Sequence, residues 1–261
     1  MQLMDAFPTK SSWVEISQGP VPLRCWWSPA AQQSQARPQV SAEGTVLTRG
    51  RAVLVLPEVF GVNAWVRSVA DRLAAVGVPA LAMPLFSRTA PALELGYTPE
   101  ALAEGRSHKE RTTAAEILAD VRAAAAWLQR QGPLELTVVG FCFGGHAALL
   151  AATLPEVARS FNFYGAGVVQ GRPGGGPPSL DVLPQVHGAL TCLCGTADPL
   201  IPPQDQAALA SALAAADPSG ERLRYVALDG ADHGFMCEAR SSFNAVASAQ
   251  GWALLQEALL P

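Results

Sequence analysis

The sequence predicts an α/β fold, with a mostly parallel central sheet and helices on both faces. Two observations carry this. Short apolar runs recur at residues 52–56, 78–83 and 190–194, and strands that are apolar throughout suit a parallel sheet buried on both sides. Longer stretches between them place apolar residues at helical spacing, and strands alternating with helices imply parallel pairing through crossovers. In order, residues 14–27 read as a strand pair turning at Gly19-Pro20, and 29–44 as a polar loop. After Asn63, the residues Trp65, Val66, Val69, Leu73 and Val76 share one helical face, and Gly77 suits the position just past the helix end. Thr98-Pro99 is an N-cap followed by a first-turn proline. A longer helix follows with Ile117, Val121, Ala124 and Leu128 inward, stopping at Gly132-Pro133. The segment 171–178 reads as a Gly/Pro-rich surface loop, and a last helix ends near Leu260.

Composition limits the functional classes. A chain of 261 residues, 49% hydrophobic and 15% charged, is expected to form one domain with a large core. Residues 1–50 supply the strand pair and loop, and 52–261 the core unit that bears the chemistry. A net charge of −4 gives no electrostatic reason to expect nucleic acid or an anionic membrane as partner. No apolar run is long enough to span a bilayer. Residues 1–8 lack a basic segment followed by an apolar one, and the five cysteines are an odd number. The expectation is a cytoplasmic chain without a disulfide framework.

The most informative stretch is Gly140-Phe141-Cys142-Phe143-Gly144-Gly145. It follows the apolar Val138-Val139 and precedes an alanine-rich helix, so it reads as strand, sharp turn and helix. This is the G-x-S-x-G elbow with sulfur replacing oxygen, which exposes a nucleophile beside backbone N–H donors. Two later strand ends offer partners: Asp198 within Gly195-Thr196-Ala197-Asp198, and His233 within Asp232-His233-Gly234-Phe235. The order nucleophile, acid, histidine is that of the α/β-hydrolase fold. Asp232 is too close in sequence to orient the neighbouring imidazole easily, and Asp229 is a weaker competitor for the acid.

With Pro57-Glu58-Val59-Phe60-Gly61-Val62-Asn63 and Phe163-Tyr164-Gly165, these motifs make the chain resemble the dienelactone hydrolase family from about residue 52 to the C-terminus. The resemblance implies Cys142 as nucleophile, His233 as base and Asp198 as its orienting acid. It implies that Glu58 approaches the thiol, and that the Val59 and Phe143 N–H groups form the oxyanion hole. A carboxylate near a thiol disfavours the thiolate, so Glu58 is expected to modulate the resting cysteine. The resemblance also implies that dienelactone cleavage calls on two arginines to hold the substrate carboxylate, one of them four residues after the histidine. Here that position is Cys237. Arg240 lies nearby, and Arg106 and Arg111 are further candidates.

The remaining residues have plainer readings. Cys25, Cys192 and Cys194 read as core cysteines, and a metal site lacks partners at ligand spacing. His108 reads as solvated, and His146 as lying beneath the elbow. Trp65, Phe86, Tyr164 and Phe235 are weak candidates for lining a pocket, since aromatics at a sheet edge usually pack. The expected activity is cleavage of a small ester or lactone through a thioester, with no metal or organic cofactor. The alternatives are an acyl or thioester transferase on the same elbow, or a non-catalytic small-molecule binder of the same fold. Nothing in the sequence indicates the oligomeric state.

Overall fold

The computed structural model describes residues 9–30, 50–130, 132 and 134–260. Its strands are β1 (Ser12–Ile16), β2 (Leu23–Ser28), β3 (Gly50–Leu56), β4 (Ala80–Ala82), β5 (Leu134–Phe141), β6 (Val157–Phe163), β7 (Ala189–Gly195) and β8 (Leu223–Leu228). They form one sheet in the order β1-β2-β4-β3-β5-β6-β7-β8. The β1–β2 hairpin joins β4 antiparallel, and every pair from β4 to β8 is parallel. The predicted strand pair is therefore one edge of the main sheet. The predicted loop 29–44 lies, from residue 31 onward, outside the described residues.

Side-chain alternation along β3 explains the two layers. Ala52, Leu54 and Leu56 pack with Ile117, Val121 and Leu128 of the helix α3 (Ala114–Gln129), whereas Val53 and Val55 pack with Val66, Val69 and Leu73 of α1 (Ala64–Ala75). Because strand side chains alternate, one apolar run supplies both faces. Leu54, Leu56 and Leu73 have no exposed surface. Each such side chain stabilises the fold by about 1.5–3 kcal/mol through burial. The helices begin where their caps predict. Asn63 accepts from the Val66 N–H to start α1, and Thr98 accepts from Ala101 N–H to start α2 (Pro99–Lys109). Thr113 and Glu116 form a reciprocal capping box that starts α3. That helix ends at Gln129, slightly before the predicted glycine stop.

The helices α4 (Phe143–Ala151) and α5 (Pro203–Ala216) lie in the crossovers β5–β6 and β7–β8, and α6 (Ala245–Leu259) follows the last strand. Within α4, His146 is buried beneath the elbow, as the sequence suggests. Its Nδ1 lies 3.0 Å from the Ala166 carbonyl and its Nε2 2.7 Å from Ser179 Oγ. A carbonyl only accepts, so Nδ1 carries the proton and Nε2 accepts from the serine hydroxyl. The neutral ring is thus satisfied. Burial, helped by the Lys109 and Arg172 charges, lowers its pKa to about 4.

This group makes acid destabilisation testable. A depressed histidine pKa means that the unfolded chain binds the extra proton first. The contribution of neutral His146 is complete above about pH 6.5 and is lost as pH falls toward 4. The unfolding free energy of the wild type from urea melts should therefore fall across that window more than that of His146→Gln, by on the order of 3 kcal/mol. Parallel pH profiles for the two proteins would contradict this assignment.

Candidate active site

The elbow forms where β5 meets α4. Cys142 has φ 54° and ψ −119°, a left-handed conformation that is strained for any residue with a side chain. Two close approaches enforce it. A Cβ at Gly140 would collide with the Gly144 carbonyl, and one at Gly144 with the Leu56 and Pro57 carbonyls at the end of β3. The strand and helix can therefore meet only through glycine at these positions. The Cys142 N–H donates to the Phe163 carbonyl at 3.0 Å, tying the apex to β6. Cys142 is half-buried, whereas Cys25, Cys192, Cys194 and Cys237 are buried.

The neighbouring strand ends bring the other predicted residues to the same edge. Asp198 lies in the turn after β7, is 3% exposed, and its Oδ1 accepts from the Leu200 N–H at 2.8 Å. Its Oδ2 lies 2.8 Å from His233 Nδ1. That contact fixes a proton on Nδ1 and turns Nε2 toward the site. Nε2 is buried without an aligned hydrogen-bond partner, within electrostatic reach of the Cys142 sulfur. Burial opposes a charged ring here, but the Cys142 sulfur and the Asp198 carboxylate outweigh it and push the His233 pKa up to about 10. Ser242 Oγ donates to the His233 carbonyl at 2.6 Å and anchors the loop. Asp229 instead accepts from Thr196 Oγ1, and Asp232 is exposed, so neither competes for the imidazole.

Glu58 and Val59 follow β3 and are buried. Phe143 is the first residue of α4, so its N–H has no acceptor within the helix. Glu58 Oε1 accepts from Arg240 Nη1 at 2.7 Å, and Oε2 is buried without a partner. No described hydrogen bond joins this carboxylate to Cys142, so its observed partner is the arginine and not the expected thiol. Burial raises the Glu58 pKa, and the Arg240 and His233 charges counter it. Arg240 is no solvated surface residue. Its guanidinium lies about 6 Å from the Phe60 and Tyr97 rings (5.9 and 6.0 Å) and over Gly234, where a Cβ would strike it.

The weaker candidates pack in the core. Phe86 stacks between His108 and Phe143. His108 is buried, not solvated, because Arg111 Nη2 lies 2.8 Å from its Nδ1 and the ring rests on Phe86. Cys237 has no exposed surface, and burial raises its thiol to about 11. A buried thiol, not a cation, thus stands where the resemblance implies an arginine. Phe235 is buried against Tyr164 and Phe163. Trp65 packs on Phe141 and donates from Nε1 to Glu238 at 2.7 Å. Arg106 and Arg111 are exposed on and after α2. Tyr97, which sequence reading missed, accepts from Asn63 Nδ2 at 3.2 Å and stands beside Glu58 and Cys237. No sequence signal marked it, because its neighbours are distant along the chain. Among the described residues, no group of three His, Cys, Asp or Glu side chains is arranged to hold a metal ion, and no helix is long and apolar enough to cross a membrane.

Known proteins resemble this chain in sequence and fold. The model of the dienelactone hydrolase family matches residues 40–260. A relative from Synechocystis sp., provisionally named a carboxymethylenebutenolidase, is 39% identical over 214 residues, covering 81% of this chain and 86% of its own. A Bradyrhizobium sp. relative, provisionally named a 2-oxo-3-(5-oxofuran-2-ylidene)propanoate lactonase, is 29% identical and covers 87% and 90%. A Klebsiella pneumoniae structure, provisionally called a dienelactone hydrolase, superposes with TM-score 0.76 at 24% identity and covers 95% of this chain and 96% of its own. That similarity supports the fold alone. The span of the family match and the identity to the Synechocystis relative show that this chain belongs to the dienelactone hydrolase family.

Proposed function

We propose that this member of the family hydrolyses a small ester or lactone through a thioester on Cys142. One observation carries the reading: a strained, half-buried thiol stands within reach of a buried histidine whose other nitrogen is held by a buried aspartate. His233 takes the thiol proton, and the thiolate attacks the substrate carbonyl carbon. The Val59 and Phe143 N–H groups hold the resulting oxyanion. The C–O bond breaks, and the leaving oxygen takes the proton from the imidazolium. Water, deprotonated by His233, then cleaves the thioester and releases the acid. No step calls on a metal or organic cofactor.

The nucleophile is testable apart from the fold. Cys142→Ala should lower kcat for a small aryl ester by roughly a thousandfold or more while the protein stays folded. Mass spectrometry of quenched wild type should find the acyl group on the Cys142 peptide. Cys142→Gly should be equally inactive yet more stable, by about 1 kcal/mol in denaturant melts, because glycine tolerates the left-handed φ. Wild-type turnover in the alanine variant would remove Cys142 from the mechanism.

Substrate charge follows from the Glu58–Arg240 pair. We infer that the pair leaves Arg240 neutralised in the resting site, so a substrate carboxylate must compete with Glu58 for it. A neutral ester or lactone bears no such penalty and is the expected preference. In the same reading Glu58 modulates the site through Arg240 and His233. Glu58→Gln should raise kcat/KM for a carboxylate-bearing lactone relative to a neutral one, by roughly tenfold, the worth of one charge-assisted contact. An unchanged ratio would show that Arg240 does not meet substrate.

A further inference from the structure

Tyr164 has surroundings that neither the core nor the steps above require. It is fully buried, and with φ 42° it is the only described non-glycine residue besides Cys142 at positive φ. The two strained residues sit side by side. Cys142 follows Phe141 at the end of β5, Tyr164 follows Phe163 at the end of β6, and Phe141 pairs with Phe163 across the sheet. The Tyr164 N–H donates to the Leu193 carbonyl at 2.8 Å, which holds the residue at the edge where the site lies.

The ring is well packed, but the hydroxyl is not used by the fold. Ring centroids lie 4.9 Å from Phe235 and 5.1 Å from His233, both edge-to-face. A phenylalanine would make the same contacts. The hydroxyl oxygen is buried with no hydrogen-bond partner. Burial holds the phenol pKa well above its ordinary value, and Glu58, Cys237 and Cys142 add to this while Arg240 opposes it, so the group stays a proton donor. A buried donor without an acceptor is costly, and a ligand is one group that can supply the missing partner. Of the six described buried polar side-chain atoms without a partner, three are Tyr164 Oη, Glu58 Oε2 and His233 Nε2. All three belong to the group of side chains around Cys142.

Sheet order places the Tyr164 backbone, and its ring contact with His233 turns the side chain toward the imidazole that must protonate a leaving group. Val59 follows β3, on one side of β5, whereas Tyr164, Asp198 and His233 follow β6, β7 and β8 on the other. A carbonyl oxygen held by the Val59 and Phe143 N–H groups therefore lies on the β3 side. The leaving group then points toward His233, which must protonate it, and toward the tyrosine packed on that imidazole. We propose that the Tyr164 hydroxyl donates a hydrogen bond to the leaving oxygen of the ester or lactone as its bond to the acyl carbon breaks. The tyrosine keeps its proton, and the proton gained by the departing alkoxide comes from His233. The role rests on the proposed thioester mechanism.

The experiment compares Tyr164→Phe with wild type on two ester series of one acyl group, alkyl esters and 4-nitrophenyl esters. A contact to the leaving oxygen matters most where that oxygen departs as a strong base. The variant should lose roughly tenfold or more in kcat/KM for alkyl esters and keep 4-nitrophenyl hydrolysis within about threefold. Its thermal midpoint should equal or exceed that of wild type, because only an unpaired hydroxyl is lost. Its rate of iodoacetamide alkylation at Cys142 should be unchanged, which separates this role from damage to the thiol–imidazole pair. Equal losses in both series, no loss in either, or a slowed alkylation would each overturn the proposal. If Cys142→Ala retains wild-type turnover, the thioester reading itself fails, a result distinct from any of these.

Discussion

The site depends on one constraint, the close meeting of β5 and α4 around a cysteine held at φ 54°. A residue with a Cβ resists that conformation, so the surrounding structure must impose it. The Gly140 approach to the Gly144 carbonyl, the Gly144 approach to the end of β3, and the Cys142 N–H bond to Phe163 do so together. Phe141, just before the apex, is gripped by Trp65 and Phe163 with ring centroids 4.9 and 5.2 Å away. The strain is thus held from both sheet neighbours and from α1. It lifts the sulfur out of the core, while the other four cysteines stay buried within it.

Charge is then arranged around that apex in buried pairs. Ionised groups removed from water are tolerated only when partnered. Asp198 answers His233, and Arg240 answers Glu58. The two pairs serve different ends. The first orients an imidazole and leaves its Nε2 facing the thiol. The second sets a guanidinium against a carboxylate, so the two opposite charges offset each other at this sheet edge. Glu58 is also within reach of the His233 charge, so the pairs are electrically linked. A change at either carboxylate is felt by the histidine.

Much of the site was legible in the sequence because its signals are local. A glycine-flanked cysteine between an apolar strand and an alanine-rich helix specifies an elbow through backbone sterics alone. Asp198 and His233 each follow a short apolar run, and a parallel sheet brings successive strand ends to one edge. The helix starts at Asn63, Thr98 and Thr113 were equally readable, since a cap is made within three residues. His108 reads as solvated from its charged sequence neighbours but is buried, because they say nothing of Phe86, a distant residue whose ring packs against it.

By itself the sequence determined the strand-and-helix alternation, the elbow and the three strand-end residues of the candidate machinery, all of which follow from short-range sterics and periodicity. Tertiary structure alone decided who partners whom across the sheet edge. Arg240 meets Glu58 across 182 positions, closing over Gly234, and the Glu58 carboxylate is thereby held by a guanidinium where the thiol was expected. Cys237 falls into the packed core, and Tyr164 turns its hydroxyl into an interior without an acceptor. Such contacts depend on how loops from separate strands converge, and no local pattern of residues encodes that convergence.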